Sequence, residues 1–149
     1  GALYHSGVFV KQDYSRAKEL FEKSASQGNA KAQFLLGSMY YAGEGVDKNH
    51  GHAKEWFEKS AAQGEHNSQF LLGTMYVLGK VVRQDYGKAK ELFEKSAAQG
   101  DASAQLLLGK MYAEGEGVDQ DNDQAKELFS RACDNGETRG CDELRALNY

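Results

Sequence analysis

AKELFEKSASQG at residues 17–28 returns as AKEWFEKSAAQG at 53–64, as AKELFEKSAAQG at 89–100 and, with more changes, as AKELFSRACDNG at 125–136. Each copy starts 36 residues after the last. A second block keeps the same step: AQFLLGSMY from Ala32, SQFLLGTMY from Ser68 and AQLLLGKMY from Ala104. A register that never slips marks a structural unit, and periods of this size belong to stacked repeat architectures.

Each unit reads as two helices. In the first, helix A, Leu36, Tyr40 and Gly43 recur at helical spacing, as do Leu72, Tyr76 and Gly79. In the second, helix B, Ala53, Trp56, Phe57, Ser60 and Ala61 make an apolar stripe, with Lys54, Glu55, Glu58 and Lys59 opposite. Glu19–Lys23, Glu55–Lys59 and Glu91–Lys95 are i,i+4 pairs in the favourable order, expected on a solvated face. Asp13, Asn49, Asp85 and Asp121 stand where helix B needs an N-cap. Gly28, Gly64, Gly100 and Gly136 stand where it should stop. Gly37, Gly73 and Gly109 fall inside helix A, where glycine costs about 1 kcal/mol against alanine. A repeated cost at one register predicts that helix B approaches too closely there for a Cβ. Val10, Val46, Val82 and Val118 anchor the loop between helices.

One such unit cannot bury its apolar face alone, whereas stacked neighbours can. The chain is therefore expected to be all-α, an α-solenoid of antiparallel helix pairs with about eight helices. It divides as a single solenoid domain over 1–149: a truncated repeat at 1–28, full repeats at 29–64, 65–100 and 101–136, and a capping helix at 137–149. GALYHSG overlays GSMYYAG at 37–43, so the first residue falls mid-helix and earlier repeats are expected to precede it. At the other end Leu144 and Leu147 keep the core positions of Leu108 and Met111. Arg145 replaces Gly109, and Asp142 and Glu143 replace Leu106 and Leu107, giving the polar face of a terminal repeat.

The 149 residues carry a net charge of -4 with Lys and Glu interleaved, which argues against nucleic acid as partner. No apolar run approaches the roughly 20 residues of a membrane span. The only two cysteines, Cys133 and Cys141, replace Ala97 and Gln105 and should face each other across the Gly136 turn. A staple between helices, free buried thiols and a metal or redox pair are the three readings. Seven intervening residues and no neighbouring ligand set disfavour the last. A staple would imply an oxidising compartment.

The Gln-x-x-Leu-Gly-x-x-Tyr run (33–40), the Gly-Glu-Gly-Val loops (43–46 and 115–118), the Ala-x-x-Trp-Phe of helix B (53–57) and the closing Ala-Ala-x-Gly (61–64) resemble Sel1-like repeats, relatives of the tetratricopeptide repeat. Phe9 and Val81 depart from this pattern at the places of Gly45 and Gly117, so those loops should differ in shape and expose apolar side chains. The resemblance implies a right-handed solenoid that serves as a non-catalytic scaffold or adaptor, without cofactor or metal, for a protein or peptide partner. Signalling, envelope, host-contact and toxin-immunity roles all occur in such families. In tetratricopeptide-like arrays the outer stripe of helix A lines a concave groove. Here that stripe is Lys31, Phe34, Ser38 and Tyr41, then Asn67, Phe70, Thr74 and Val77, then Ser103, Leu106, Lys110 and Ala113. Packing between neighbouring repeats is the competing reason for an aromatic at that register. The Cys133–Cys141 spacing resembles the bridged helix pairs of a cysteine-rich bacterial branch, which implies a bacterial protein, periplasmic or secreted.

That branch also supplies the runner-up, a β-lactamase or penicillin-binding-like hydrolase. Ser15-Arg16-Ala17-Lys18 matches the S-x-x-K pattern, but at an ordinary repeat position and without companion motifs. His50, His52 and His66 take the places of Tyr14, Arg16 and Ala30, which favours surface variation over a metal site. Gly43-Glu44-Gly45 follows a helix and is no phosphate loop. Glu44, Glu114 and Glu116 are loop carboxylates.

Overall fold

Helix punctuation decides the architecture. The computed structural model describes residues 2–148, with side chains from residue 13 onward. It contains α1 (Ala2–Ser26), α2 (Ala30–Ala42), α3 (His50–Ala62), α4 (His66–Leu78), α5 (Tyr86–Ala98), α6 (Ala102–Glu114), α7 (Asn122–Asp134) and α8 (Thr138–Leu147), and no strand among the described residues. The chain forms two compact units, Gly1–Glu65 and His66–Tyr149.

In the first unit, α2 and α3 pack as an antiparallel pair. Asn49 Oδ1 accepts the His52 N–H at 2.9 Å and starts α3. Left-handed Gly64 (φ 89°) ends it. Between the helices, Gly43 and Gly45 are left-handed, and the Asn49 N–H donates to the Tyr40 carbonyl at 2.8 Å. Phe57 is fully buried against Gly37: a Cβ there would lie 2.8 Å from the ring. The mid-helix glycine is thus offset by close packing of the two backbones. The second unit repeats this contact twice, with Phe93 on Gly73 and Phe129 on Gly109, each at 2.7 Å from a notional Cβ.

A polar seam runs beside the apolar one. Buried Gln33 donates to the Ala25 carbonyl (3.1 Å) and accepts from Gln63 Nε2 (2.8 Å), tying the ends of α1 and α3 to the start of α2. Ser60 Oγ donates to the Ala30 carbonyl at 2.6 Å. In the second unit Gln105 donates to the Ala97 carbonyl (3.1 Å) and accepts from Asn135 Nδ2 (2.9 Å), and Ser96 Oγ donates to the His66 carbonyl (2.9 Å). The glutamines add a second donor to carbonyls that already accept from the Gly28 and Gly100 N–H groups, and the serines reach the first carbonyl of the preceding helix A.

Two expectations need correction. The loop and Asp13 cap foreseen near residues 7–13 do not form, and α1 runs unbroken through them. Elsewhere the second loop glycine is held against a tyrosine 31 residues earlier: a Cβ on Gly45 would meet Tyr14, and one on Gly117 would meet Tyr86. Phe9 stands where those loops have their second glycine, and continuing the helix keeps its backbone bonded. The ion pairs also differ. Lys18–Glu22, Lys54–Glu58 and Lys90–Glu94 form, at 3.5, 2.6 and 2.8 Å. The expected Glu-first pairs point further into solvent, where pairing gains little, and Lys59 instead lies over the Trp56 ring at 4.6 Å. The Val81 loop does differ in shape, as expected: it has one left-handed residue, Gly79, where the others have two. It still closes with the same bond, Asp85 N–H to the Tyr76 carbonyl at 3.0 Å. The large apolar residue it leaves exposed is Leu78, at the end of α4.

Candidate functional site

The helix A stripe is built by helical spacing. In the first unit Lys31 and Tyr41 are exposed, while Phe34 and Ser38 are half-buried. Phe34 packs on Phe57 with ring centroids 6.1 Å apart. Tyr41, 40% exposed, stacks on His50 at 4.6 Å and an interplanar angle of 19°. In the second unit Asn67, Phe70, Thr74 and Val77 are half-buried, and Phe70 sits 6.1 Å from the Phe93 ring. The Ser38 and Thr74 hydroxyls donate to the carbonyls of Phe34 and Phe70, so they stay on their own helices. Ser103, Lys110 and Ala113 are half-buried, and Lys110 pairs with Glu143 at 3.4 Å. Leu106 is only 1% exposed and lies in a cluster with Phe129, against which Leu144 and Leu147 pack, so a partner has no access to it.

Cys133 and Cys141 are joined in a disulfide, with Cα atoms 4.8 Å apart. It bridges the end of α7 and the start of α8. The three histidines are separated. His50 lies on Tyr41, His52 on Tyr40 with centroids 4.4 Å apart, and His66 Nδ1 meets Asp101 Oδ2 at 3.0 Å. Among the described residues no group of three His, Cys, Asp or Glu could hold a metal. Ser15 and Lys18 both line an open cavity of about 830 Å³ beside the 43–49 loop, and Lys18 is paired with Glu22.

Among the described residues, electrostatic perturbation is seen at surface pairs. The hydrogen bond from Arg139 holds the Glu137 carboxyl below its usual range. The hydrogen bond to Glu94 raises Lys90. No helix among the described residues is long and apolar enough to cross a membrane.

Two features escaped sequence reasoning. The buried glutamines recur at 33, 69 and 105, a period visible in the sequence, but residue type gives no sign of their burial. Gly140, at the Ala104 position, is buried, and a Cβ on it would lie 2.8 Å from the Ala132 Cβ.

Antiparallel helix pairs repeated every 36 residues, each locked by one glycine–phenylalanine contact, define an α-solenoid repeat protein. The chain belongs to the Sel1 repeat family, whose model matches residues 1–29, 30–65, 66–101 and 102–137. Solved structures agree. The protein c5321 of uropathogenic Escherichia coli, a protective antigen with an SLR fold, is 31% identical over 93% of this chain and 32% of its own, with a TM-score of 0.85. A Sel1 repeat protein from Oxalobacter formigenes is 31% identical over 97% of this chain and 59% of its own, TM-score 0.84. Helicobacter pylori cysteine-rich protein B is 25% identical over 91% of this chain and 97% of its own, TM-score 0.71. The chain thus spans about a third of the first and under two thirds of the second. No curated protein matches it. Sel1 repeats commonly mediate protein–protein interaction and are generally non-catalytic scaffolds.

Proposed function

We propose that this chain is a non-catalytic scaffold that holds a protein or peptide partner on the outer stripe of its helices A, in a periplasmic or secreted setting. The observation that carries the reading is Tyr41. It is a large aromatic left exposed on the same stripe as Phe34, at the register that holds Val77 and Ala113 in the other repeats, and it is held flat by His50. Preorganised aromatic side chains of this kind dominate binding energy at interfaces, because little freedom is lost on contact. Lys31, Ser38, Asn67, Thr74, Val77, Ser103, Lys110 and Ala113 supply the surrounding contacts. Burial removes Leu106 from the set. The net negative charge supports a partner other than nucleic acid. The disulfide supports an oxidising compartment.

The test is a photo-crosslinker placed at position 41 in cells of the source organism, followed by affinity measurement on the captured partner. Tyr41→Ala should weaken binding by about tenfold or more, as hot-spot truncation does, with the melting temperature unchanged. Phe70→Ala should weaken binding more than folding. Unchanged affinity in both variants would end the reading.

The hydrolase alternative draws on one observation, that Ser15 and Lys18 share a cavity wall. Lys18 is paired with Glu22 at 3.5 Å rather than with Ser15. Nitrocefin turnover that disappears in Ser15→Ala would establish it in place of the scaffold.

A further inference from the structure

The loop between α2 and α3 differs from its counterparts in one respect that changes its chemistry. In the second unit the loop is closed by glutamine: Gln84 Nε2 donates to the Val77 carbonyl and Gln120 Nε2 to the Ala113 carbonyl, both at 2.9 Å. The corresponding residue in the first unit is Lys48. It makes no hydrogen bond or ion pair with the described residues. Its neighbour Asn49 stands where the other two loops have Asp85 and Asp121.

Both substitutions act on the same cavity. Its wall includes Tyr14, Lys18, Tyr40, Val46, Asp47 and Lys48. The hydroxyls of Tyr14 and Tyr40 also lack partners among the described residues. With Lys18 paired to Glu22, the wall holds one uncommitted ammonium, Lys48, and two phenol donors beside the Asp47 carboxylate. Glu22 lies beside Lys18 at 3.5 Å, the longest of the three equivalent pairs. The same register in the second unit reads Lys90, Asp119 and Asp121, with Lys90 held at 2.8 Å by Glu94. One site offers a surplus of donors and a free cation, while its counterpart offers a surplus of carboxylate.

We infer that the cavity between α1 and the 43–49 loop binds a carboxylate, carried by an acidic residue of a polypeptide. Lys48 is the charged contact. The Tyr14 and Tyr40 hydroxyls are the further donors, and their rings with Val46 form the wall along the aliphatic part of the side chain. A single uncommitted cation matches a monoanion better than a doubly charged phosphate. Charge-assisted hydrogen bonds to carboxylate are stronger than neutral ones. The glutamine that would have sealed the loop has been exchanged for the group that can make them. This site is separate from the helix A stripe. Its test uses a free amino-acid derivative, so either reading can fail without the other.

The experiment follows backbone amide NMR signals of the disulfide-intact protein during titration with N-acetylglutamate, N-acetylglutamine and inorganic phosphate. N-acetylglutamate should shift the signals of residues 43–49 and 14–18 saturably, with a roughly millimolar dissociation constant. N-acetylglutamine should not. Lys48→Gln restores the residue of the other two loops, so the fold is kept, and it should weaken binding by about tenfold. Equal shifts from N-acetylglutamine would overturn the assignment. So would tighter binding of phosphate, or a Lys48→Gln protein that binds N-acetylglutamate as well as the parent.

Discussion

The junction between α5 and α6 and the junction between α7 and α8 occupy the same register but are joined by different bonds. At the first, Gln105 Nε2 reaches the Ala97 carbonyl. At the second, the same two positions are Cys141 and Cys133, joined covalently. Both turns pass through a left-handed glycine, Gly100 or Gly136. Gly140 replaces Ala104, letting the α8 backbone close on Ala132. The reason for the difference lies in what each helix buries. α6 buries Ala104, Gln105, Leu106, Leu108, Gly109 and Met111, whereas α8 buries Gly140 alone. A net gain of about 1 kcal/mol from one hydrogen bond suffices where six residues share the work of burial. A ten-residue helix with one buried position needs a stronger tie.

The sharpest way to break this comparison is to remove the covalent bond. Cys133→Ser with Cys141→Ser should cost roughly 2–3 kcal/mol in denaturant unfolding, from the loop entropy returned to the unfolded chain. The pair Cys133→Ala and Cys141→Gln should recover part of that by restoring the bond seen at Ala97 and Gln105. Equal stability of the two double variants would show that the register carries no hydrogen bond at this end. Next in size, Gly109→Ala should cost about 1–3 kcal/mol, because its Cβ would press on the Phe129 ring. Arg145, at the same register of α8, is exposed, so Arg145→Ala should change stability by less than about 0.5 kcal/mol. The smallest effect is one of pH. Glu137 caps α8 and is held below the ordinary carboxylate value by Arg139. A group depressed in the folded state stabilises above its unfolded pKa and stops doing so as pH falls through the folded one. Acid should therefore loosen α8 in the reduced protein, read by amide exchange over 138–147, and Arg139→Ala should shift that loosening to higher pH.

Much of this was legible in the sequence because each signal recurs. Three copies of a glycine within helix A pointed to close packing, and Phe57, Phe93 and Phe129 bear on those glycines. The caps at Asn49, Asp85 and Asp121 and the stops at Gly28, Gly64, Gly100 and Gly136 followed from residue type. What stayed hidden depends on contacts rather than on type. Asp13 looks like its three counterparts, yet it lies within α1. Gln33 and Gln105 have the composition of a surface and the surroundings of a core. The spacing of Lys54 and Glu55 allows either partner in the next turn, and only the side-chain positions choose Lys54–Glu58. Among the candidate contact residues, periodicity located the stripe, but the burial of Leu106 depends on α8, whose packing no repeat pattern describes.

The recurrence of one glycine–phenylalanine lock also bears on how such chains change length. AKELFEKSASQG and AKELFEKSAAQG differ at one position out of twelve. A duplication or loss spanning one whole period would present each remaining helix with a surface almost identical to the one it lost. Growth by modules therefore meets little resistance from the interior, and the reach of the protein can be altered without redesigning what lies inside it.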